Sequence, residues 1–418
     1  MKKTGKALIL ILLLGSFGIG GFFLGVNSRS TDQIAGNTGT TGSTGTTQVS
    51  DYGLTEDEQR ILQNVREFSS VIENDYLFEY TAEDLENGIY KGLFAGLGDP
   101  YSVYYTGEEY MKLMEDTSGE FAGIGVIISA GEDNLITVVS PIDGTPASRA
   151  GLKSGDKIIA IDGVSYLAVD LEAASAKMRG EVGTEVSLTV QRENDGKIET
   201  FDVKIKREMI QITSVSSRML EGDIGYLQIN SFDEHTGTEF RENLDKLKGE
   251  GAKKLVLELR NNPGGLLSSL ETVADILLGE GTIVTSVDNS GYEEVMTSDA
   301  NQETMPIVVL VNEGSASASE ILLGALRDHK RAISVGTKTF GKGIIQRIYP
   351  ISEFDPSAGG FKLTMAEYMT PNGDRIHGEG ITPDIVVELP EEVKGLGPDF
   401  LQEDTQLQRA IEEVKKLK

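Results

Sequence analysis

The sequence contains no cysteine and only three histidines among its 418 residues. The absence of cysteine excludes disulfides, thiolate zinc sites and cysteine nucleophiles. Basic residues are also scarce, since 38 Lys and Arg stand against 66 Asp and Glu and the net charge is −28. Phosphate binding needs clustered positive charge, so nucleic acid is not expected as a partner. Ordinary hydrophobic and charged fractions, 39% and 25%, indicate a globular chain whose length predicts two or three domains.

The N-terminus predicts a location. Three lysines precede an apolar run from Ala7 to Val26, which is about the length that crosses a bilayer as a helix. A cleaved signal peptide is the alternative, but no clear small-residue cleavage site follows Val26. We therefore expect residues 1–26 to form an uncleaved, single-pass anchor in the cell membrane. Because basic flanks stay in the cytoplasm, the rest of the chain is expected to be extracytoplasmic.

Composition and periodicity predict an α/β and α+β multidomain chain behind this membrane anchor. Residues 27–50 are rich in Gly, Ser and Thr and indicate a flexible linker. Apolar residues at helical spacing in residues 51–119 predict a helical segment for packing or homodimerisation. Short β-branched runs predict a β-rich domain over residues 120–210. Buried strands alternating with helices over residues 211–390 predict an α/β core with a largely parallel sheet, and residues 391–418 a docked helical tail.

One stretch of this core, "NEGSASASE" (312–320), places three serines between an apolar run and a helix. At such a strand-to-helix turn, unpaired N–H groups and the helix dipole favour developing negative charge. A nucleophile and an oxyanion would be stabilised there. The alternative is structural, because Ser317 and Glu320 match the S-x-x-E capping box of an ordinary helix start.

A serine nucleophile needs a base, and the histidines are poorly placed to supply one. His235 lies in a polar loop, and His329 lies at a helix end where a cation is expected for dipole reasons. His377, in "RIHGEG", is the one in an interesting loop. For all three, a surface or structural role is the favoured interpretation.

Lysine offers another base. In "GTKTFGKGIIQ" (336–346), Lys342 stands between two glycines and precedes a strand. If the segment is extended, Lys342 and Gln346 project from the same face, and the amide would orient the amine. Burial without a carboxylate partner would lower the pKa of such a lysine. Lys338 is the rival, but its polar neighbours indicate a solvated side chain.

Four motifs in order give the chain a family resemblance. They are "LELRNNPGG", "NEGSASASEI", "GTKTFGKGIIQ" and the block "YMTPNGDRIHGEGITPDI" (368–385). Together they resemble the carboxyl-terminal processing proteases, the tail-specific serine peptidases of the S41 class. The resemblance covers residues 54–411.

The resemblance implies that Ser317 is the nucleophile, that Lys342 is the general base and that Gln346 supports the lysine. No metal or organic cofactor is implied. The implied donors of the oxyanion hole are backbone N–H groups, those of Gly264 or Gly265 and of Ala318.

Residues 120–210 resemble the PDZ domain of the same family. "FAGIGV" (121–126) matches its carboxylate-binding loop, whose implied binding residues are Gly123, Ile124, Gly125 and Val126. The substrate's C-terminus would bind there and its backbone would pair with the following strand. Protein C-termini are therefore the expected partners. Arg179, at a helix end, is either a relay to the catalytic domain or a solvated cation.

Two rival functions stand beside this one. A catalytically silent PDZ scaffold would bind protein C-termini without cutting them, although the intact Ser/Lys/Gln set argues against it. A Ser–His hydrolase would use His377 as its base.

Overall fold

The computed structural model describes residues 54–194 and 196–418. Its α-helices are α1 (Glu56–Asp75), α2 (Ala82–Ala95), α3 (Gly107–Ser118), α4 (Pro146–Arg149), α5 (Leu171–Met178), α6 (Thr236–Gly249), α7 (Leu267–Leu277), α8 (Ala318–Asp328) and α9 (Thr405–Lys416). Its strands are β1 (Val103–Tyr105), β2 (Glu120–Gly123), β3 (Val126–Ala130), β4 (Ile136–Pro141), β5 (Lys157–Ile161), β6 (Val164–Ser165), β7 (Glu185–Asn194), β8 (Lys197–Lys206), β9 (Glu208–Gln211), β10 (Val215–Met219), β11 (Ile224–Ile229), β12 (Lys254–Glu258), β13 (Gly281–Asp288), β14 (Glu293–Ser298), β15 (Ile307–Val311), β16 (Ala332–Gly336), β17 (Ile344–Pro350), β18 (Gly360–Met369) and β19 (Ile385–Val386).

The predicted N-terminal anchor (1–26) and linker (27–50) lie outside the described residues. In residues 54–194 and 196–418, no helix is both long and apolar enough to cross a membrane.

Helices α1 and α2 begin where the sequence provides caps. The side chains of Thr55 and Thr81 each accept a hydrogen bond from the backbone N–H three residues on, and the N–H of each threonine donates to the carboxylate of Glu58 or Asp84. This reciprocal pairing satisfies N–H groups that a helix start leaves unpaired. Helix α1 buries none of its residues, and apolar side chains such as Phe68 remain exposed. The predicted role of this segment in dimerisation stays a prediction.

The β-rich unit contains a sheet in the order β3-β4-β5-β7-β8, with β6 on β5. A separate antiparallel pair, β2 and β9, connects its two ends to the rest of the chain. Helix α5 packs its buried face onto the sheet, with Leu171, Ala174 and Met178 in a common apolar core. Strand β3 lies at an edge, so one side of its backbone faces no other strand of this sheet.

The core contains the predicted largely parallel sheet, in the order β10-β11-β12-β15-β16-β19. Only the β10–β11 pairing is antiparallel. Strand β15 is buried along its whole length, as its unbroken apolar sequence predicts. Helices α6, α7 and α8 share one apolar core with the sheet, and α9 packs in another. The tail is docked as predicted.

A second sheet of the core was not predicted. It is antiparallel, in the order β1-β18-β13-β14, with β17 also paired to β18. Strand β1 comes from the stretch "GLGDPYSVYY", which the sequence indicated only as a break between helices. Its pairing, with Val103 opposite Lys362, attaches the N-terminal helical segment to the core.

A buried ionic cluster fixes the tail to the core. The Arg260 guanidinium, fully buried, donates to Glu258, to Asp404 at 2.9 and 2.8 Å, and to Gln406 at 2.9 Å. Asp404 also accepts the N–H of Leu407 at 2.9 Å and thereby caps α9. Since a buried charge is costly unless paired, this cluster places the tail uniquely against the end of β12. The loop that follows Arg260 carries Gly264 and Gly265.

Candidate active site

Ser317 occupies a strained turn between β15 and α8. It is the N-cap residue of α8, only 4% exposed, with φ +55° and ψ −115°. A non-glycine residue in such a conformation costs about 1–3 kcal/mol and persists only where its surroundings hold it. The turn is therefore held in place by the loops around it.

The loop from Asn262 to Gly265 packs directly against this turn. Asn262 O accepts the N–H of Ala316 at 3.0 Å and the Ser319 hydroxyl at 3.0 Å. A Cβ on Gly264 would lie 2.8 Å from Ser317 Cβ and 2.9 Å from Ala318 N, at φ +97°. Only glycine allows the two loops to approach so closely.

The two predicted glycine donors differ in their hydrogen bonds. The N–H of Gly264 donates to Asn262 Oδ1 at 2.9 Å. The N–H groups of Gly265 and Ala318 donate to no other residue within 54–194 and 196–418. These two N–H groups are therefore the ones available to an oxyanion beside Ser317.

A buried carboxylate joins the serine turn to the lysine loop. Glu320, with no exposed surface, accepts the N–H of Ser317 at 3.0 Å, of Gly341 at 2.7 Å and of Lys342 at 2.8 Å. It also accepts the Thr339 hydroxyl at 2.6 Å. Burial raises the pKa of Glu320, and these four bonds oppose that rise. The sequence indicated Glu320 only as a helix cap.

Tyr368, on β18, makes a second connection between the same two residues. Its buried hydroxyl lies 3.1 Å from the carbonyl oxygen of Ser317 and also hydrogen-bonds the carbonyl oxygen of Lys342. The backbones of Ser317 and Lys342 are thus fixed to each other through both their N–H and their C=O groups.

Lys342 has the environment of a neutral amine. It is 2% exposed. Burial and, after it, the positive charge of Lys362 lower its pKa, Glu320 and Asp99 raise it, and the resulting pKa is about 7. Because an amine accepts a proton only when neutral, this environment suits a general base near neutral pH.

The side chain of Lys342 is covered by residues that sequence reasoning missed. Its Nζ lies 5.3 Å from the centre of the Tyr101 ring. Asp99, two residues earlier, accepts hydrogen bonds from Ser102 at 2.6 Å and from Thr364 at 2.7 Å. The sequence indicated no chemistry in "GLGDPYSVYY". The stretch contains a carboxylate and several tyrosines, but only the β1–β18 pairing brings them to the core.

Gln346 is buried on β17, four residues after Lys342. Its Nε2 donates to Ile344 O at 3.3 Å, and its Oε1 accepts no hydrogen bond from the described residues. The structure therefore does not join Gln346 to Lys342 by a hydrogen bond. The β17–β18 register shifts between Ile345 and Gln346, which departs from the regular alternation that the prediction assumed.

The rival bases lie elsewhere or are exposed. His235 contacts Glu120 at 3.0 Å, and His329 contacts Thr282 O at 2.7 Å at the end of α8. His377 is exposed and packs edge-on against Tyr101 at 6.3 Å, without a hydrogen bond to Ser317. Lys338 is exposed, as expected. Within the described ranges no group of three or more His, Asp or Glu side chains could hold a metal ion.

The predicted carboxylate-binding loop lies between β2 and β3. Gly125 adopts φ +73°, and a Cβ there would lie 2.4 Å from Thr145 Cβ. Its carbonyl accepts the Thr145 hydroxyl at 2.9 Å, and the carbonyl of Ile124 accepts the N–H of Ala147 at 2.8 Å. The N–H groups of Ile124 and Gly125 donate to no other described residue. Gly123 ends β2 and Val126 begins β3, so the four predicted residues form one continuous loop.

Arg179 matches neither of its two predicted environments. Its guanidinium pairs with Glu115 on α3 and lies 4.8 Å from the centre of the Phe121 ring. The side chain is 28% exposed. It therefore links the β-rich unit to the N-terminal helical segment and is neither solvated nor paired with the α/β core.

Comparisons with known proteins agree with this site. Residues 223–387 match the model of peptidase family S41, and residues 137–192 match a PDZ domain. A carboxy-terminal-processing protease of Bartonella bacilliformis is 42% identical over 355 residues, covering 82% of this chain and 79% of the relative. A probable CtpA-like serine protease of Staphylococcus aureus is 39% identical over 343 residues, covering 81% and 67%. The solved structure of a putative S41 protease from Bacteroides fragilis shares the fold, with a TM-score of 0.52, 15% identity, and coverage of 82% and 92%.

The chain belongs to the S41 serine peptidases, as a carboxy-terminal-processing protease with a PDZ domain. The family resemblance expected from the four motifs is thereby confirmed.

Glu320→Gln tests the connection between the two loops. An amide places donors where the carboxylate only accepts, so at least one N–H of Ser317, Gly341 or Lys342 loses its acceptor. Each bond to a charged group is worth about 1.5–3 kcal/mol, so we expect kcat to fall roughly 10- to 100-fold with KM little changed. Steady-state kinetics on a peptide substrate measures both constants. Glu313→Gln, on an exposed carboxylate that accepts the Thr337 hydroxyl, is the matched control and should behave as wild type. Unchanged kcat in Glu320→Gln would contradict the role of Glu320 in holding the Ser317 turn and the Lys342 loop together.

Proposed function

We propose that this protease cuts peptide bonds with Ser317 as nucleophile and Lys342 as general base. The observation that carries the proposal is the buried Lys342, whose pKa is lowered to about 7, fixed by Glu320 to the turn of Ser317. Neutral Lys342 removes the proton of the Ser317 hydroxyl, and the oxygen attacks the substrate carbonyl. The protonated amine then supplies the proton of the leaving amine, and water hydrolyses the acyl-enzyme.

The N–H groups of Gly265 and Ala318 form the oxyanion hole in this proposal. Both belong to residues in the two loops that pack around Ser317, and neither donates to another described residue. Gly264 has a different role, since its N–H is bonded to Asn262 and its missing Cβ allows the loops to meet. Preorganised backbone donors of this kind stabilise a developing oxyanion without having to reorient.

Gln346 completes the proposed catalytic set. Its buried Oε1, which accepts no bond from the described residues, is suited to accept one when a proton moves onto a neighbouring amine. In a regular strand, the side chains of Lys342 and Gln346 would lie on the same side. The register shift between Ile345 and Gln346 disturbs that alternation. The proposed role of Gln346 is therefore secondary to that of Lys342.

We further propose that substrates are protein or peptide chains recognised by their C-termini. The unused N–H groups of Ile124 and Gly125 would donate hydrogen bonds to the terminal carboxylate. The edge strand β3 would pair with the last residues of the substrate, because its open side offers backbone groups for a further strand. In this division of the chain, the PDZ domain spans residues 120–210 and the catalytic core residues 211–390.

The proposed location is extracytoplasmic, with residues 1–26 as a single-pass membrane anchor. The support comes from the apolar run between Ala7 and Val26 and the lysines before it. The described part of the chain begins at Leu54, after the predicted linker.

The pH dependence tests the base. Because the folded-state pKa of Lys342 is about 7 and only the neutral form is active, kcat/KM should rise with pH through about 7 and then level off. Lys342→Arg keeps the charge but cannot lose its proton, so activity should fall at least about 1000-fold. Labelling of Ser317 by a fluorophosphonate should fall with it. His377→Ala is the control for the rival base and should keep the wild-type profile. Substantial turnover by Lys342→Arg would remove lysine from the mechanism.

C-terminal recognition is tested with one peptide in two forms, a free C-terminal carboxylate and its amide. The amide should be cut more slowly, because it lacks the negatively charged oxygens to which the loop N–H groups donate. Gly125→Ala introduces a Cβ that collides with Thr145 and should abolish the difference. Gly144→Ala is the matched control, since Gly144 has a similar positive φ but open space around it. Equal rates for the two peptides with the wild-type enzyme would contradict carboxylate recognition.

The anchor is tested by fractionation and N-terminal sequencing. The full chain should sediment with membranes, and a chain beginning at Leu54 should remain in the supernatant with its activity on peptides intact. A mature N-terminus found within residues 27–50 would show that the segment is a cleaved signal peptide.

A further inference from the structure

A second lysine is buried on the strand that pairs with the segment covering Lys342. Lys362, in the middle of β18, is 1% exposed and lies between the partner residues Val103 on β1 and Ile348 on β17. Burying one ammonium group is costly, and burying two close together adds their mutual repulsion. Packing alone does not explain such a pair, because an apolar residue would fill the position in a sheet at lower cost.

One segment of the chain covers both lysines. The Tyr101 ring centre lies 5.3 Å from Lys342 Nζ, and the Tyr105 ring centre lies 5.6 Å from Lys362 Nζ. Asp99 is fixed in the same segment, because it accepts the N–H of Tyr101 at 2.9 Å and the Thr364 hydroxyl at 2.7 Å. Residues 99–105 therefore place an aromatic ring against each of the two buried amines and a carboxylate beside them.

We propose that Lys362 and Asp99 set the protonation state of the base by their charges, Lys362 favouring the neutral amine of Lys342 and Asp99 favouring the ammonium. The proposal rests on the proposed role of Lys342. Lys362 does not touch the reacting atoms in this account, so it is a positioning residue that acts through Lys342. Its position in β18, paired on both sides, keeps its charge at a constant place.

The charges around the two amines agree with this assignment. After burial, the positive charge of Lys362 is the largest influence that lowers the pKa of Lys342, and Glu320 and Asp99 raise it. Burial lowers the pKa of Lys362 itself to about 8, against the influence of Asp99. Other titratable groups on the elements around the two amines include Tyr101, Tyr104, Tyr105 and Glu109 on the N-terminal segment, Arg347 and Tyr349 on β17, Glu367 and Tyr368 on β18, and His377.

The direction of each effect follows from Coulomb's law. Without the charge of Lys362, protonated Lys342 is no longer repelled, so its pKa rises and a smaller fraction is neutral at a given pH. Without the charge of Asp99, protonated Lys342 loses an attraction, so its pKa falls and a larger fraction is neutral. Two substitutions in one pocket should therefore move the acid side of the pH–rate profile in opposite directions.

The experiment measures the rate of fluorophosphonate labelling of Ser317 and kcat/KM on a peptide between about pH 5 and 10, roughly the range over which both lysines titrate. Lys362→Met, of similar length and without charge, should move the midpoint from about 7 upward by about one pH unit. On the acid side this is about a tenfold lower rate, while the high-pH plateau should stay within about threefold of wild type. Asp99→Asn, which keeps the side-chain shape, should move the midpoint downward. Lys112→Met is the control. It removes one positive charge from an exposed residue near residues 99–105, and the midpoint of the pH–rate profile should not move.

The outcomes separate this inference from the proposed function. If wild type shows no acid limb near pH 7, or Lys342→Arg remains active, the role of Lys342 itself fails. If the wild-type limb is present but neither Lys362→Met nor Asp99→Asn moves it, Lys342 is the base and the charge-setting role is wrong. Shifts in the same direction would indicate a disturbed pocket and would also overturn the inference. If Lys362→Met does not fold, the downward shift in Asp99→Asn decides alone, and its absence counts against the proposal.

Discussion

The active site depends on a single buried carboxylate. Glu320 accepts hydrogen bonds from Ser317, Thr339, Gly341 and Lys342, which belong to two segments separated by a helix and a strand. Neither segment can move away without leaving part of a buried charge unsatisfied, and that penalty exceeds the value of an ordinary hydrogen bond. One of these bonds, from the N–H of Ser317, also helps to hold Ser317 in its strained backbone conformation with a positive φ. The strained serine and the buried lysine are thus stabilised by one group.

The elements that the sequence predicted are those whose signals are local. The parallel sheet follows from apolar runs such as β15, and α1 and α2 follow from apolar residues at helical spacing. The antiparallel sheet was missed because its register depends on pairings across the chain, such as Val103 with Lys362. A three-residue strand after a break at Gly and Pro is too short to show periodicity, so only its pairing with another strand makes it recognisable.

The features of the site likewise divide into those that the sequence predicted and those that it missed. The glycines around Lys342 and the S-x-x-E pattern at Ser317 were visible as motifs, and the structure brings both segments together. Which glycine N–H remains available was not visible, because it depends on the bond between Gly264 and Asn262. Asp99 was missed because its partner Thr364 lies 265 positions further along the chain. Motifs name residues whose backbone conformation is special, whereas ordinary residues enter a site only through tertiary contacts.

The surroundings of Lys342 consequently extend beyond the region that the family model recognises. Residues 223–387 contain the serine, both buried lysines and Glu320, but Asp99 and Tyr101 come from the N-terminal helical segment. That segment is attached to the core through β1 and to the PDZ domain through the pair of Glu115 with Arg179. Without residues 99–105, the wall over Lys342 would be solvent, and the burial that lowers its pKa would be partly lost. The helical segment is therefore part of the environment of Lys342 as well as a contact to the PDZ domain.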